Sequence, residues 1–415
     1  MSSIEVTSRK SAQTTVLVGF AEALSAPEVV WSLVDDGFKV IAFARRGRLS
    51  PLRYSRHVEC HEICAPESSF EESDMELRAL LDSLRGKEDH KNLVLLPLDD
   101  KSVYLSSRLA RDPDWQLAGP AGASAALALD KSLQVDAARR AGFAVPETMV
   151  LNTAAEIMSA AVDLQFPVIL RPSDCVPMHQ GKLYKCPNWV CATYDELVSA
   201  VSQWAERVPL LAQPFIEGEG EGIFGIAAPE GVRAWSAHRR LRMMNPHGSG
   251  SSACVSQPVA ADLKQKAETL LKSVNWHGLF MIELLRDRSG KVWFVELNGR
   301  PWGSMALSRR QGLEYPAWQA RLAMGQDASA GITSQSLRTG LVCRNAGREL
   351  MHLLFVLKGA KSKALTHWPS FWKTLWNVLR IRKEDTFYNW RSDDRKVFVA
   401  DCYCTMHDNL CRSRI

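Results

Sequence analysis

Two neighbouring segments constrain this chain more than any other feature. GLFMIELLRD, ending at Asp287, and KVWFVELNGR, ending at Arg300, each alternate apolar with polar residues, and Arg288 to Gly290 between them are turn formers. This pattern predicts a β-hairpin. Side chains of a strand alternate faces, so Glu296, Asn298 and Arg300 lie on one side, and pairing brings Glu283 beside them. Two carboxylates and an amide oxygen that converge suit Mg2+, which normally shares its shell with water and phosphate oxygens; Mn2+ accepts the same donors. An adjacent arginine neutralises phosphoryl oxygens or a developing oxyanion. The competing reading is a hairpin whose carboxylates are simply solvated.

Upstream, TVLVGF from Thr15, a helical stretch from Pro27 to Asp36, Gly37 and then KVIAFA alternate as strand, helix and strand, the start of a Rossmann-like lobe. No GxGxxG turn accompanies it, so no dinucleotide is assigned. NLVLLPL reads as a buried parallel strand with Asp99 and Asp100 at its carboxyl edge, where ligands of such sheets collect. Either aspartate facing a substrate competes with both sitting in a solvated loop. Ala121 to Gly142 reads as one helix, closed by Gly142 and Pro146. A strand MVL, a helix from Ala154 to Leu164, the strand PVILRP, an irregular stretch, a helix from Asp195 to Arg207 and the strand PLLAQPFI follow.

With 415 residues, 46% hydrophobic and 23% charged, the chain can bury several lobes and is not disordered. Its net charge of +5 lacks a basic stripe, which argues against nucleic acid as a partner. The ten cysteines show no zinc-ligand spacing and are expected to stay reduced. A polar N-terminus and the absence of a long apolar run point to a cytoplasmic protein.

ALDKSLQVDAARRAGFAVPET, ILRPSD, QPFIEGEGEG, PHGSGSS and the glutamate followed by FVELNGR stand in an order and spacing that resembles the ATP-grasp superfamily. Within it, the chain is similar to the carboxylate–amine ligase, biotin-carboxylase-like and carbamoyl-phosphate-synthase-like branch, over residues 15–312. The resemblance implies an α/β (α+β) chain with an ATP-grasp fold: a polar tail at 1–14, a Rossmann-like domain at 15–120, a two-part ATP-grasp domain at 121–325 hinged near 213–218, and a partly helical extension at 326–415. It implies that Lys131 and Arg171 hold the α- and β-phosphates of ATP, and that Gln213 faces the adenine amino group. The backbone of Phe215 and Ile216 would read the ring edge, and Glu221, or else Glu219, the ribose. Glu283, Glu296 and Asn298 would bind magnesium, and Arg300 the transferred phosphoryl group or a substrate carboxylate.

Three positions depart from the family pattern. Arg171 replaces a lysine, exchanging a point donor for a planar fork. Gly299 stands where a proline is usual, and SDCVPMHQGKLYKCPN is not a glycine-rich phosphate lid. Gly181, Lys182 and Lys185 either serve that role or form an exposed loop. On HRRLR, either Arg240 or Arg242 meets an acyl phosphate, or both make an exposed basic face; Trp302 either closes the substrate pocket or packs in the core.

The activity implied is ATP-dependent ligation of a small-molecule carboxylate to an amine through an acyl phosphate. Bicarbonate activation and a non-catalytic ATP-binding protein are the alternatives. Between residues 366 and 383, Trp368, Phe371, Trp372, Leu375, Trp376 and Leu379 recur at helical spacing beside Lys373, Arg380, Arg382 and Lys383. Packing of this stripe on the protein's own body is expected, ahead of peripheral membrane contact.

Overall fold

The computed structural model describes residues 14–85, 92–109, 115–204, 208–248, 250–326, 337–360 and 362–411; apart from Thr14, the expected polar tail lies outside them. Strands Thr15–Gly19, Lys39–Arg45, Glu59–Ile63, Leu93–Pro97 and Gln116–Leu117 form a parallel sheet in the spatial order third, second, first, fourth, fifth. Such a sheet is covered on both faces, which is why its central strands read as unbroken apolar runs. Alternation sorts their side chains. Val16, Val18, Ala42, Val94 and Leu96 pack with Trp31 of helix Ala26–Asp35 on one face. Leu17, Ile41, Phe43 and Leu95 meet Leu77 and Leu81 of helix Phe70–Arg85 on the other.

Two antiparallel layers follow. Strands Trp189–Cys191, Val168–Pro172, Leu210–Pro214 and Met149–Leu151 lie side by side in that order, backed by Ile157, Leu197 and Trp204. A larger sheet runs in the order Val292–Asn298, Gly278–Asp287, Gly218–Ala228, Gly231–Met243, Ser251–Gln257, Val342–Arg344 and Thr386–Phe387. The hairpin expected from alternation is its edge, with Glu283 directly opposite Glu296. Ile282, Leu284 and Leu297 cover helices Lys131–Arg140 and Ala261–Ser273 through Ala138, Ala267 and Leu270.

Several sequence expectations are corrected. The single helix expected from Ala121 to Gly142 breaks at Asp130 into Gly122–Leu129 and Lys131–Arg140. The Asp130 carboxylate accepts hydrogen bonds from the backbone of Ser132 (2.7 Å) and Leu133 (3.2 Å), capping the second helix and fixing Lys131 at its first position. The helix expected to reach Leu164 stops at Ala160, and the one expected to reach Arg207 is described as Tyr194–Trp204, with 205–207 outside the described residues. Gly181 and Lys182 belong to a short hairpin rather than an irregular loop, with the Gly181 carbonyl accepting from Phe70 N of the first lobe at 2.8 Å, and Lys185 just beyond it lines the large cavity. Trp302 is core, 1% exposed and stacked between Phe224 (4.6 Å) and Tyr315 (5.3 Å).

The C-terminal segment adds the last two strands of the large sheet and helices Ala346–Lys358, Phe371–Leu379 and Arg395–Cys411. It is tied back to the first lobe, because Trp31 Nε1 donates to Asp394 (3.0 Å) and buried Glu28 accepts from Asn389 N (3.1 Å) and Arg309 (2.8 Å). The expected packing of the tryptophan stripe holds only in part: Trp368, Phe371 and Leu375 are half-buried beside buried Thr374, whereas Trp372 is 75% and Trp376 66% exposed. Replacing Trp372 and Trp376 together by serine is therefore expected to leave the unfolding free energy nearly unchanged. Trp302→Ala is expected to cost about 3–5 kcal/mol. Paired denaturant titrations read the contrast.

Candidate functional site

A cavity of about 1660 Å³ lies where the three sheets meet. The small antiparallel sheet contributes Ile169, Arg171 and Gln213, the large one Arg240, Arg242, Glu283 and Glu296, and the parallel lobe Asp100. Lys131, Phe215, Ile216, Glu219 and Arg300 complete the expected set on its wall. The wall runs without a break from Gln213 to Gly220 and stops before Glu221. The two candidates for the ribose thus differ in place. Glu221 is 4% exposed and accepts two hydrogen bonds from Arg286 (2.6 and 2.9 Å), whereas Glu219 borders the cavity. Gly220 is needed as glycine for another reason: a Cβ there would stand 2.7 Å from Cδ of Arg240.

Charge is arranged in pairs across the cavity. Arg171 Nη2 lies 3.4 Å from Glu296, and Asn298 Nδ2 donates to the other oxygen of that carboxylate at 3.0 Å from a buried position just behind the wall. Arg300 Nε lies 2.8 Å from Asp100, and Arg240 pairs with Glu283. Burial alone would raise the Glu296 pKa. Lys131, Arg171, the Asn298 amide and Arg300 outweigh it and hold the carboxyl at about 2. Burial works against the charge of Arg300, and Asp100 and Glu296 more than restore it, keeping its pKa raised.

The donor set fits a hard cation. Among the described residues no three His, Cys, Asp or Glu side chains gather closely enough to hold a metal by themselves. Two facing carboxylates on a cavity wall, with one amide just behind it, are donors of the kind Mg2+ uses when phosphates and water complete its shell. Arg242 is less free than expected: it makes a two-pronged pair with Glu349 (2.9 and 2.6 Å), because a bulge between Arg240 and Arg242 separates their partners. Lys131 points its ammonium at Cys175 Sγ, 2.9 Å away. Burial pushes that thiol up to about 11 against the pull of Lys131, so it stays protonated.

Sequence reasoning missed part of the wall. Arg348 and His352 on one helix and Asp401 on another reach the cavity from the C-terminal segment. The i, i+4 spacing of Arg348 and His352 was readable; which cavity they face was not.

No family model matches the chain. A D-alanine–D-alanine ligase from Ectopseudomonas mendocina (strain ymp) is 25% identical over 190 residues, 43% of this chain and 57% of that protein, so the chain spans little more than half of that relative's length. The L-amino acid ligase of Bacillus licheniformis superposes with a TM-score of 0.57 at 14% identity, covering 80% of this chain and 78% of that one. Biotin carboxylase of Campylobacter jejuni, in its β,γ-ATP complex, superposes with a TM-score of 0.60 at 16% identity, over 79% of this chain and 74% of that one.

The chain has the ATP-grasp fold. The gap between its two antiparallel layers is the cavity walled by Arg171 and Gln213 on one side and Glu283 and Glu296 on the other.

The depressed Glu296 pKa carries a stability prediction. A carboxyl held below its unfolded value of 4.5 stabilises the fold above that pH, and the contribution is lost as pH falls toward 2. It amounts to about 3 kcal/mol at neutral pH. Glu296→Gln is expected to be destabilised near pH 7 and to lack this component of the acid slope, read as the difference between urea titrations of the two proteins at pH 7 and pH 3.

Proposed function

We propose that this ATP-grasp protein is a Mg2+- and ATP-dependent ligase that activates a small-molecule carboxylate and joins it to an amine. The observation that carries the reading is the single wall on which Lys131, Arg171, Arg240, Arg300, Glu283 and Glu296 converge from two sheets, a helix start and the loop after the edge strand. Six charged groups around one cavity, with Arg171 paired to Glu296 and Arg240 to Glu283, supply what phosphoryl transfer demands: fixed cations for phosphate oxygens and carboxylates for the ion that accompanies them. The likeness to an L-amino acid ligase and a D-alanine–D-alanine ligase supports the amide-forming version.

In this reading a carboxylate oxygen of the substrate attacks the terminal phosphorus of ATP, ADP departs, and the amine nitrogen then attacks the acyl carbon and expels phosphate, losing its proton. Lys131 and Arg171 hold the nucleotide phosphates. Glu283, Glu296 and Asn298 hold magnesium, which when bound neutralises phosphate charge. Arg300, fixed by Asp100 at 2.8 Å, faces the transferred group. Both arginines are paired, Arg242 to Glu349 and Arg240 to Glu283; Arg240, beside a carboxylate assigned to magnesium, is the one placed to meet the acyl phosphate. Gln213, buried and donating to Thr148 at 2.8 Å, sits with Phe215 and Ile216 where the base would enter. The chemistry is positioning and charge neutralisation, with no covalent enzyme intermediate.

A panel of carboxylic and amino acids, assayed for ADP release with hydroxylamine present, tests the activity. Hydroxamate formation that depends on one acid class is expected, because hydroxylamine intercepts an acyl phosphate. ADP release that depends on bicarbonate and never yields a hydroxamate would move the reading to bicarbonate activation. No stimulated ADP release by any acid, with ATP still bound, would move it to a non-catalytic nucleotide-binding protein.

Nucleotide binding has its own expected signature. Mg·ADP at a hundredfold excess over its dissociation constant should stabilise by about 2.7 kcal/mol. Glu219→Gln should weaken that protection about tenfold in nucleotide concentration, the loss of roughly one hydrogen bond to a charged group, at unchanged melting temperature of the free protein. Glu221→Gln should do the reverse, lowering the melting temperature by releasing Arg286 while sparing the affinity.

A further inference from the structure

We infer that the outward face of the segment 371–383 docks on an anionic phospholipid bilayer. Helix Phe371–Leu379 half-buries Phe371, Leu375 and Val378 beside buried Thr374, yet it carries a second apolar face: Trp372, Trp376 and Leu379, four and three positions apart, form one stripe and face outward, 75%, 66% and 67% exposed. Ile381, 62% exposed, extends the stripe beyond the helix. Scattered exposed apolar residues need no explanation, but a contiguous stripe of two tryptophans, a leucine and an isoleucine does.

The other side holds the helix rigidly. Thr374 is buried, Arg344 donates to the carbonyls of Val378 and Arg380, and Trp368 Nε1 donates to Val356 O at 3.0 Å. The outward stripe is therefore not a frayed end awaiting its place in the core.

Charge selects the occupant. Lys373, Arg380, Arg382 and Lys383 are all exposed around the stripe. The segment itself holds no acid; of the two that follow it, Asp385 is taken up by Arg344 at 3.2 Å, which leaves Glu384. Tryptophan and leucine rimmed by lysine and arginine match the boundary between acyl chains and anionic headgroups, where each basic residue adds electrostatic attraction. A second copy of the chain is a poor occupant, because a two-fold contact through this face would set each cluster of cations against its own equivalent. Among the described residues no helix is long and apolar enough to cross a membrane, so the contact is interfacial. Lys373, Thr374 and Asn377 of the same helix line the cavity, and docking would bring that cavity alongside the bilayer.

Co-sedimentation of the full chain with vesicles of phosphatidylcholine, with and without phosphatidylserine, tests this independently of any ligase activity. Binding is expected only when phosphatidylserine is present, and it should fall as salt rises. Trp372→Ser with Trp376→Ser, and separately Arg382→Gln with Lys383→Gln, should each reduce partitioning by about tenfold or more at an unchanged melting temperature. Wild-type protein that stays in the supernatant with phosphatidylserine vesicles overturns the proposal, as does undiminished binding by both variants. A wild-type dimer in sedimentation equilibrium that the tryptophan variant converts to monomer, without vesicle binding, would assign the face to a second copy.

Discussion

Glu296 is the point through which the three sheets are held in one charge arrangement. It lies on the edge strand of the large sheet, it meets Arg171 of the small sheet at 3.4 Å, and it sits among Lys131 and Arg300, the latter tied to Asp100 of the parallel lobe. A buried carboxylate with its cations removed would be costly, and the cations without it would repel one another. The same groups that make the cavity a site for phosphates and a divalent ion thus fix how the layers face one another. Stability and site geometry are coupled here through electrostatics.

A second ionic cluster does comparable work at the far end of the large sheet. Arg242 and Arg344 share Glu349, Arg344 also reaches Asp385, and Ser252 donates to Glu349 at 2.7 Å. Arg344, Glu349 and Asp385 are almost fully sheltered, so every charge needs its partner. The cluster joins the strand Gly231–Met243 to the C-terminal helices and so makes the C-terminal segment part of the cavity's frame. That is why Arg348, His352 and Asp401 reach a wall that is otherwise built by the preceding sheets. Burial raises the Asp401 carboxyl to about 6 in that setting, against hydrogen bonds from Asn345 and Asn389.

The chain's own alternation explains much of what could be read in advance. Period-two patterning in the hairpin by itself puts Glu283 and Glu296 on one face, and the pairing register places them opposite each other. Unbroken apolar runs announced the buried parallel sheet, and Pro, Gly and polar clusters marked its turns. The same local rules misjudged Ala121 to Gly142, because an aspartate inside an alanine-rich run can stop one helix and cap the next. They also left Glu219 and Glu221 unresolved, since a glycine-rich strand carries no side-chain pattern to set its register.

By itself, then, the sequence determined which residues could be strands, which carboxylates shared a face and which chemistry those donors suit, because these follow from backbone periodicity and side-chain type. The tertiary structure decided what periodicity cannot encode, namely partners distant in the chain. It gave Arg242 to Glu349 and Glu221 to Arg286, buried Trp302 and left Trp372 and Trp376 facing outward. An amphipathic stripe says only that one face of a helix is apolar. Whether that face turns inward depends on the competing surface beneath it, and here Thr374 with the carbonyls bound by Arg344 took the inner position.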